Sequence, residues 1–596
     1  MVSGIRGRRA TSNFTILVLL VELADALLVG WARYRSSDPY RLGYQWINLA
    51  VSFEGATQFQ AFGIDVSLRV DHLSLAAVAA ITLVALAITF WHRQGGRGEA
   101  GPARFHATLL LAVLGGAGVV ISGDLAALTA WWGVAGVATY LLLAHRFGTE
   151  AAGRVSRLGL TLPFLGDLAL LCAVAVLYSR FGANNLDKLS PASVLTQTYD
   201  AGLKTLGVAA VLFTIAIFVR GGLFPFTRWQ QGTLEAPPAA VAFVQGLWPL
   251  LGAVVLWRVL PVFYFGGPQP WRVLAYAAAA SAVAAALLAL AGNDLRRSLV
   301  WGGAAISALV LLAFGQPGAA GTSLAAALAV ALARPATLLC GWALVRAMRT
   351  NDLVDMGDAW RRMRVTAFSL AVACAGLGLA LAPKGAIRAS WRSDWILAVT
   401  IVLAGFGLMR VYVLVAHSEL RRRRAFEPTR VREVAPVMWW PAWLLALGGL
   451  LLALAGFLSA WIAFLAGGHQ PGAVLQTDVL WLLIGLAGPG LALAAGFAAR
   501  PMSLSLPARA GVWLAAAGAA GSLLYARYVR TPGLGIVEAF EQRGLRSGEG
   551  ALGSALGRAE AWAARPVSAA TALGLVLLVV VAAALLAGLL APGIYR

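Results

Sequence analysis

"FTIAIFVRGGLFPF", residues 213–226, begins as a membrane helix and then breaks. It is apolar through Val219, but Arg220 is followed at once by Gly221 and Gly222, and then by Pro225. Glycines and a proline interrupt a helix, free backbone polar groups and let water approach. An ionisable side chain at the bilayer centre costs at least roughly 2.5–3.5 kcal/mol, so it needs a partner or a task. A second stretch has the same design: "LGLALAPKGAIR", residues 377–388, sets Lys384 between Pro383 and Gly385. Broken helices at matching places in two halves are the sequence signature of an internally repeated transporter.

The composition around these breaks is that of a membrane protein. Of 596 residues, 60% are hydrophobic and only 12% charged. Runs of about 20 apolar residues, enough to span a bilayer, recur along the chain. The formal net charge of +21 raises the question of nucleic acid. The Lys and Arg residues cluster in short loops on one side, so the charge reads as topology and attraction to anionic lipid, with no nucleic-acid partner. The three cysteines, Cys172, Cys340 and Cys374, lie in apolar runs without C-x-x-C spacing, which argues against metal or disulfide chemistry. No glycine-rich phosphate loop follows a strand and no ligand cluster occurs, so no cofactor and no metal are expected. Any redox chemistry belongs to partners.

Spans are expected at 14–31, 71–92, 103–121, 124–145, 157–179, 205–226, 236–265, 271–291, 297–315, 322–347, 365–388, 393–416, 437–466, 477–499 and 567–591, with 509–529 as a sixteenth candidate. The start, "MVSGIRGRRATSNFTILVLLVELADALLVG", has the basic head and apolar stretch of a signal peptide. Glu22 and Asp25 interrupt that stretch and no small-residue cleavage site follows, so it reads as a retained first span with its N-terminus inside. Alternation then puts "WHRQGGRGEAGPAR", "HRFGTEAAGRVSR", "NDLRRS", "RAMRTNDLVDMGDAWRRMR" and "SELRRRRAFEPTRVRE" inside. "RFGANNLDKLSPASVLTQTYDAGLK" and "GGHQPGAVLQ" fall outside. The segment 530–566 is polar-apolar mixed and interrupted by glycine, and reads as a surface-lying amphipathic segment.

Few ionisable residues lie inside these spans. They are Glu22 and Asp25 one turn apart, Asp167, Arg220, Glu235, Arg258, Arg334, Lys384 and, near a span end where it can snorkel, Arg410. The expected architecture is an all-α polytopic membrane protein of 15–16 transmembrane helices with two inverted five-helix repeats, each broken late. The expected divisions are 1–102 for N-terminal helices and a periplasmic loop, 103–266 and 270–417 for the repeats, 418–508 for additional helices, 509–566 for the lateral segment and 567–596 for the last span. The bland alternative is that the buried cations only hold helices together through ion pairs.

Several motifs, in order, carry a resemblance. "FGIDVSLRVDHLSLAAV" holds Asp71 and Ser74 in a D-x-L-S pattern. "LFPFTRW…EAPPAAVAFVQ…GAVVLWRVLPVF" follows the first break, and "DLRRSLVWGGAAIS" and "NDLVDMGDAWRRM" come later. Over roughly residues 58–420 the chain resembles the antiporter-like subunits of respiratory complex I, nearest the subunit L (chain 5) type, which are related to Mrp sodium/proton antiporters. The resemblance implies an antiporter-like membrane subunit of a NADH:quinone oxidoreductase or related energy-converting complex. It further implies other membrane subunits as partners, the lipid bilayer as surroundings and a multi-pass place in a bacterial plasma (inner) membrane. The subunit would have no redox site of its own.

In that family protons are thought to move along a midplane chain of Lys, Glu and His, with a Glu tuning the broken-helix Lys by Coulomb attraction. The family's W-E-x-x-G-x-x-S-Y-L-L falls on Trp132, Gly133, Gly136, Thr139, Tyr140, Leu141 and Leu142, so the acid position is Gly133. The broken-helix Lys falls on Arg220, the next His on Gln245, the relay Lys on Arg334 and the terminal Lys on Lys384. The family's sixth-helix Asp falls on Asp167. A Lys can be driven to neutrality by burial, whereas an Arg, with a pKa above about 12, stays charged, and Gln cannot carry a proton as His can. The resemblance therefore implies ion translocation involving Lys384, Arg220, Arg334, Asp167 and Glu235, with a degenerate first half-channel marked by Gly133 and Gln245. Two other readings stay open: the membrane subunit of an inorganic-carbon (bicarbonate) uptake complex, and a non-conducting structural scaffold.

Overall fold

The computed structural model describes residues 2–33, 38–51, 60–146 except 98 and 100, 150–181, 186, 201–315 except 225 and 227, 320–380 except 354, 391–417, 431–465, 486–491 and 494. The first helix, α1, spans Val2–Arg33. An antiparallel hairpin follows, β1 Tyr40–Val51 and β2 Gln60–Val70, in register from Tyr40 opposite Val70 to Val51 opposite Gln60, with an irregularity between Gln45 and Ile47. This hairpin adds strands to a chain expected to be all-α. It lies between two spans, outside the periodic apolar runs that dominate the sequence.

The next helices are α2 His72–Gly95, α3 Pro102–Ile121, α4 Leu125–Leu143 and α5 Glu150–Phe181. They are followed by α6 Ala201–Gly221, the short α7 Arg228–Gly232, α8 Pro238–Arg258 and the short α9 Leu260–Phe265. The second half comprises α10 Pro268–Ala291, α11 Leu295–Phe314, α12 Ala320–Met348, the short α13 Ala359–Arg362, α14 Arg364–Leu379 and α15 Trp391–His417. Then come α16 Pro436–Ala455 and the short α17 Ser459–Leu465. Among the described residues, eleven helices are long and apolar enough to cross a membrane, and Thr205–Gly221 and Arg364–Leu379 are shorter apolar helices. The chain is a multi-pass, helical membrane protein. Two expected spans are each interrupted, 236–265 after Arg258 and 437–466 after Ala455. Most of 477–499 and all of 509–596 lie outside the described residues, as do Lys384 and its break.

Aspartates set the starts of several helices. Asp71, Asp124 and Asp294 cap α2, α4 and α11, accepting backbone N–H groups that a helix start leaves unpaired. The turns α3–α4 and α10–α11 share this device, each with an aspartate followed by leucine. The loop at Asp294 docks on the later loop at Asn351–Leu353: Leu295 N–H donates to Asn351 C=O at 2.8 Å, and Leu353 N–H to Asn293 C=O at 2.7 Å. Two motifs far apart in sequence thus form one joint.

The core is centred on α12, which packs against α8, α11, α14, α16 and α2. Its most apolar window is wholly buried. A helix buried all round carries no amphipathic stripe, and the unbroken apolar character of "ALAVALARPATLLCGWAL" is what that position demands. Arg334 is the exception within it.

Candidate ion-translocation site

The first break is where the sequence placed it. Gly222 adopts φ +58, a left-handed conformation that glycine reaches without a Cβ penalty, and α6 stops there. The carbonyls released at the end of α6 are taken up by the segment that follows. Trp229 Nε1 donates to Val219 C=O at 2.8 Å and Gln230 Nε2 donates to Gly221 C=O at 2.5 Å. Non-helical backbone at membrane depth is tolerated when protein groups satisfy it in this way.

Arg220, one residue before the break, is buried and ion-paired with Asp167 of α5. Its Nε donates to Asp167 Oδ1 at 2.7 Å and its Nη2 donates to Oδ2, a two-pronged contact. Trp132 Nε1 of α4 donates to the same Oδ1 at 2.9 Å. The guanidinium lies 4.5 Å from the ring centre of Trp248 on α8, and Trp248 meets Trp132 edge to face at 5.0 Å. Two glycines make the assembly possible. At Gly166 a Cβ would come within 2.9 Å of Val219, so α5 and α6 approach closely beside Asp167. At Gly136 a Cβ would collide with Arg220 Nη2. Gly133, the position of the missing acid, has nothing within 4 Å of where a Cβ would stand, so its side faces open space. The residue that yields room to Arg220 is therefore Gly136, one turn on.

Arg334 of α12 is fully buried and is held differently. Its Nη1 donates to Ser307 Oγ at 3.1 Å, and its Nη2 donates to Gln230 Oε1 at 3.3 Å and also to Gln245 Oε1. All three acceptors are neutral. Gln230 serves both cation regions, since its amide nitrogen caps the broken helix while its oxygen accepts from Arg334. No sequence motif singles out Gln230; its only signal is a polar side chain just after a helix break.

Glu235 is exposed in the turn Thr233–Glu235 that leads into α8. A further ion pair joins two residues that the sequence shows only as a motif aspartate and an intramembrane arginine. Arg258 Nη1 donates to Asp71 Oδ2 at 2.5 Å, and Nη2 donates to Asp71 Oδ1 at 3.0 Å and Ser74 Oγ at 2.9 Å. Burial pushes the Asp71 carboxyl up, but the Arg258 charge and the Arg258 and Ser74 hydrogen bonds outweigh it and hold it well below the usual carboxylate range. This pair ties the start of α2 to the end of α8. Among the described residues no group of His, Cys, Asp and Glu has metal-binding geometry.

Chemically, the arrangement supplies two buried guanidinium groups, one paired with a carboxylate and the other held by neutral amide and hydroxyl oxygens, with Gln230 linking Arg334 to the backbone of the broken helix. A guanidinium is by its chemistry a poorer proton carrier than an amine or an imidazole.

Residues 122–407 match the family described as "NADH:quinone oxidoreductase/Mrp antiporter, TM". The matched stretch contains both cation sites. The chain is 26% identical over 310 residues to NAD(P)H-quinone oxidoreductase subunit 5 of the Zygnema circumcarinatum chloroplast, covering 52% of this chain and 43% of that one. It is 23% identical over 337 residues to F(420)H(2) dehydrogenase subunit L of Methanosarcina mazei, covering 52% and 50%. The chain thus matches about half the length of these curated relatives. In fold it is similar to a chain of the Mrp complex from Dietzia sp. DQ12-45-1b, with a TM-score of 0.67, 17% identity and coverage of 98% of this chain and 64% of that one.

Proposed function

We propose that the protein is an antiporter-like membrane subunit of a complex I-like NADH:quinone oxidoreductase or a related energy-converting complex. It lies in a bacterial plasma membrane and contributes to proton or cation translocation driven by electron transfer in partner subunits. The two inverted repeats are assigned to residues 103–266 and 270–417, supported by the matching aspartate-capped turns. Lys384 is the candidate proton carrier of the second half, and the first half is degenerate.

The observation that carries this reading is the Arg220–Asp167 pair at the broken helix. A functional break needs a group that can change its charge. Here the group is a guanidinium, clamped by a carboxylate, an indole N–H on that carboxylate and an aromatic face. These contacts hold the side chain in place, and a guanidinium gives up a proton far less readily than a Lys amine. The first half thereby keeps the frame of an ion path while giving up its titratable centre.

The test is to purify the complex that contains this chain, reconstitute it in vesicles and compare ion transport of the wild type with Lys384→Ala and Arg220→Ala. Transport lost in Lys384→Ala and kept in Arg220→Ala is the expected pattern. Unchanged transport in Lys384→Ala overturns the role of Lys384. Absence of coupled transport in the wild-type complex favours a scaffold.

A further inference from the structure

The first helix carries a feature that the ion path does not use. One face of α1 is buried against α2 and α3 through Ser12, Thr15, Leu19 and Ala26. The opposite face is strongly exposed: Phe14 63%, Leu17 60%, Val21 61% and Leu28 68%. These positions follow a spacing of three and four residues, the seam by which one helix packs along another. Asp25 is exposed and occupies the seam position between Val21 and Leu28. Glu22, one turn earlier, turns inward to the Thr82 hydroxyl of α2.

Asp25 lies deep in the span. It precedes Arg33, at the helix end, by eight residues, or about 12 Å at 1.5 Å per residue. A carboxylate facing lipid tails at that depth is costly, and headgroup cations are out of its reach. Among the described residues, Arg220, Arg258, Arg334 and Arg410 are buried, and the exposed Arg272 and Arg297 stand in the opening turns of α10 and α11. The apolar runs 479–499, 510–526 and 567–591 contain no Lys or Arg at all.

We propose that the Phe14–Leu28 face of α1 is a docking seam for a transmembrane helix of a neighbouring subunit that carries a Lys or Arg opposite Asp25. The apolar positions supply the packing and the single charge pair fixes register and partner, as a lone polar seam residue does in a coiled coil. The proposal rests on the reading of the chain as one subunit of a membrane complex.

The test uses the full-length tagged chain in its native host. The wild type and Asp25→Glu are expected to co-purify with the same membrane subunits, while Asp25→Asn lowers their yield roughly tenfold at an equal membrane level of the chain. A photo-cross-linking residue at Val21, with Asp25 intact, is expected to attach to a partner helix bearing a Lys or Arg. Asp25→Lys is expected to lose the partner, and an Asp in place of the partner's cation to restore it. Should Asp25→Asn lower the amount of chain in the membrane, the cross-link decides. Equal subunit yields in Asp25→Asn and Asp25→Lys overturn the proposal, as does a Val21 cross-link to a second copy of this chain or to lipid alone. A wild-type chain that purifies without any other subunit overturns the subunit reading along with it; failure of the variants alone overturns only the seam.

Discussion

Arg220 and Arg334 are both buried guanidinium groups on membrane helices, yet they are held by opposite means. Arg220 stands at a helix break and meets a full negative charge on Asp167, whose side chain keeps 24% of its accessible surface. Arg334 stands within a helix buried on all sides and meets only amide and hydroxyl oxygens. The first arrangement neutralises the cation with one strong partner. The second spreads the charge over several weak dipoles, which resembles solvation more than pairing. A cation of the first kind is expensive to orphan, whereas one of the second kind can be exchanged for an apolar side chain without leaving a carboxylate behind.

This contrast can be broken by mutation. Asp167→Asn leaves Arg220 buried without its counter-charge and is expected to cost roughly 3–5 kcal/mol, read as a lower unfolding temperature of the detergent-purified chain. Next in size is Gly136→Ala, whose Cβ collides with the clamped guanidinium; over-packing of this kind costs about 1–3 kcal/mol. Gly133→Ala, in open space, is expected to change stability by no more than about 0.5–1 kcal/mol, and upward if at all. Smallest is Arg334→Met, where the relief of a buried charge offsets the hydrogen bonds lost, for a net change within about 1 kcal/mol. A loss in Arg334→Met as large as that in Asp167→Asn would show that the neutral shell holds its cation as firmly as the ion pair does.

Two helix-capping aspartates sharpen the same point through pH. Asp71, beside Arg258, is held well below the usual range. Its stabilisation is present above its unfolded pKa and lost only as pH falls through its lower folded value, so the gap between wild type and Asp71→Asn should be flat above about pH 5 and shrink below about pH 4. Asp124 is paired with no cation among the described residues; burial pushes its carboxyl up, against the hydrogen bonds from Ala127 and Ser67. Its contribution is present below the unfolded pKa and lost as pH rises through the folded one, so the gap between wild type and Asp124→Asn should narrow as pH increases. Thermal unfolding across pH checks both signs, and gaps that move in the same direction would refute the distinction.

Much of the fold was legible in the sequence because a bilayer forces each span to declare itself as a long apolar run. The break at Gly222 was legible for the same reason, since glycine and proline are conspicuous in such a run. The hairpin was not, because its alternation is confined to the connection between two overwhelming apolar signals. The pairing of Arg258 with Asp71, 187 residues away, was beyond reach of local pattern; each residue was visible alone, but only the packing of α2, α3 and α8 decides that they meet. The same holds for Gly136. Counting along the motif pointed to the missing acid at Gly133, while the helix rotation that sets which glycine faces Arg220 is fixed by neighbouring helices. Gln230 was invisible because its role depends on a backbone carbonyl of α6 and a side chain of α12 at once.

That last residue bears on how the molecule comes together. Gln230 holds the end of α6 with one atom of its amide and Arg334 with the other. The re-entrant segment of the first half therefore closes only when α12 of the second half is seated, and α12 finishes dressing its charge only when that segment is in place. A chain severed between Gly266 and Pro268 would yield fragments that are not autonomous modules; each would carry an unfinished polar surface whose completion is written in the other.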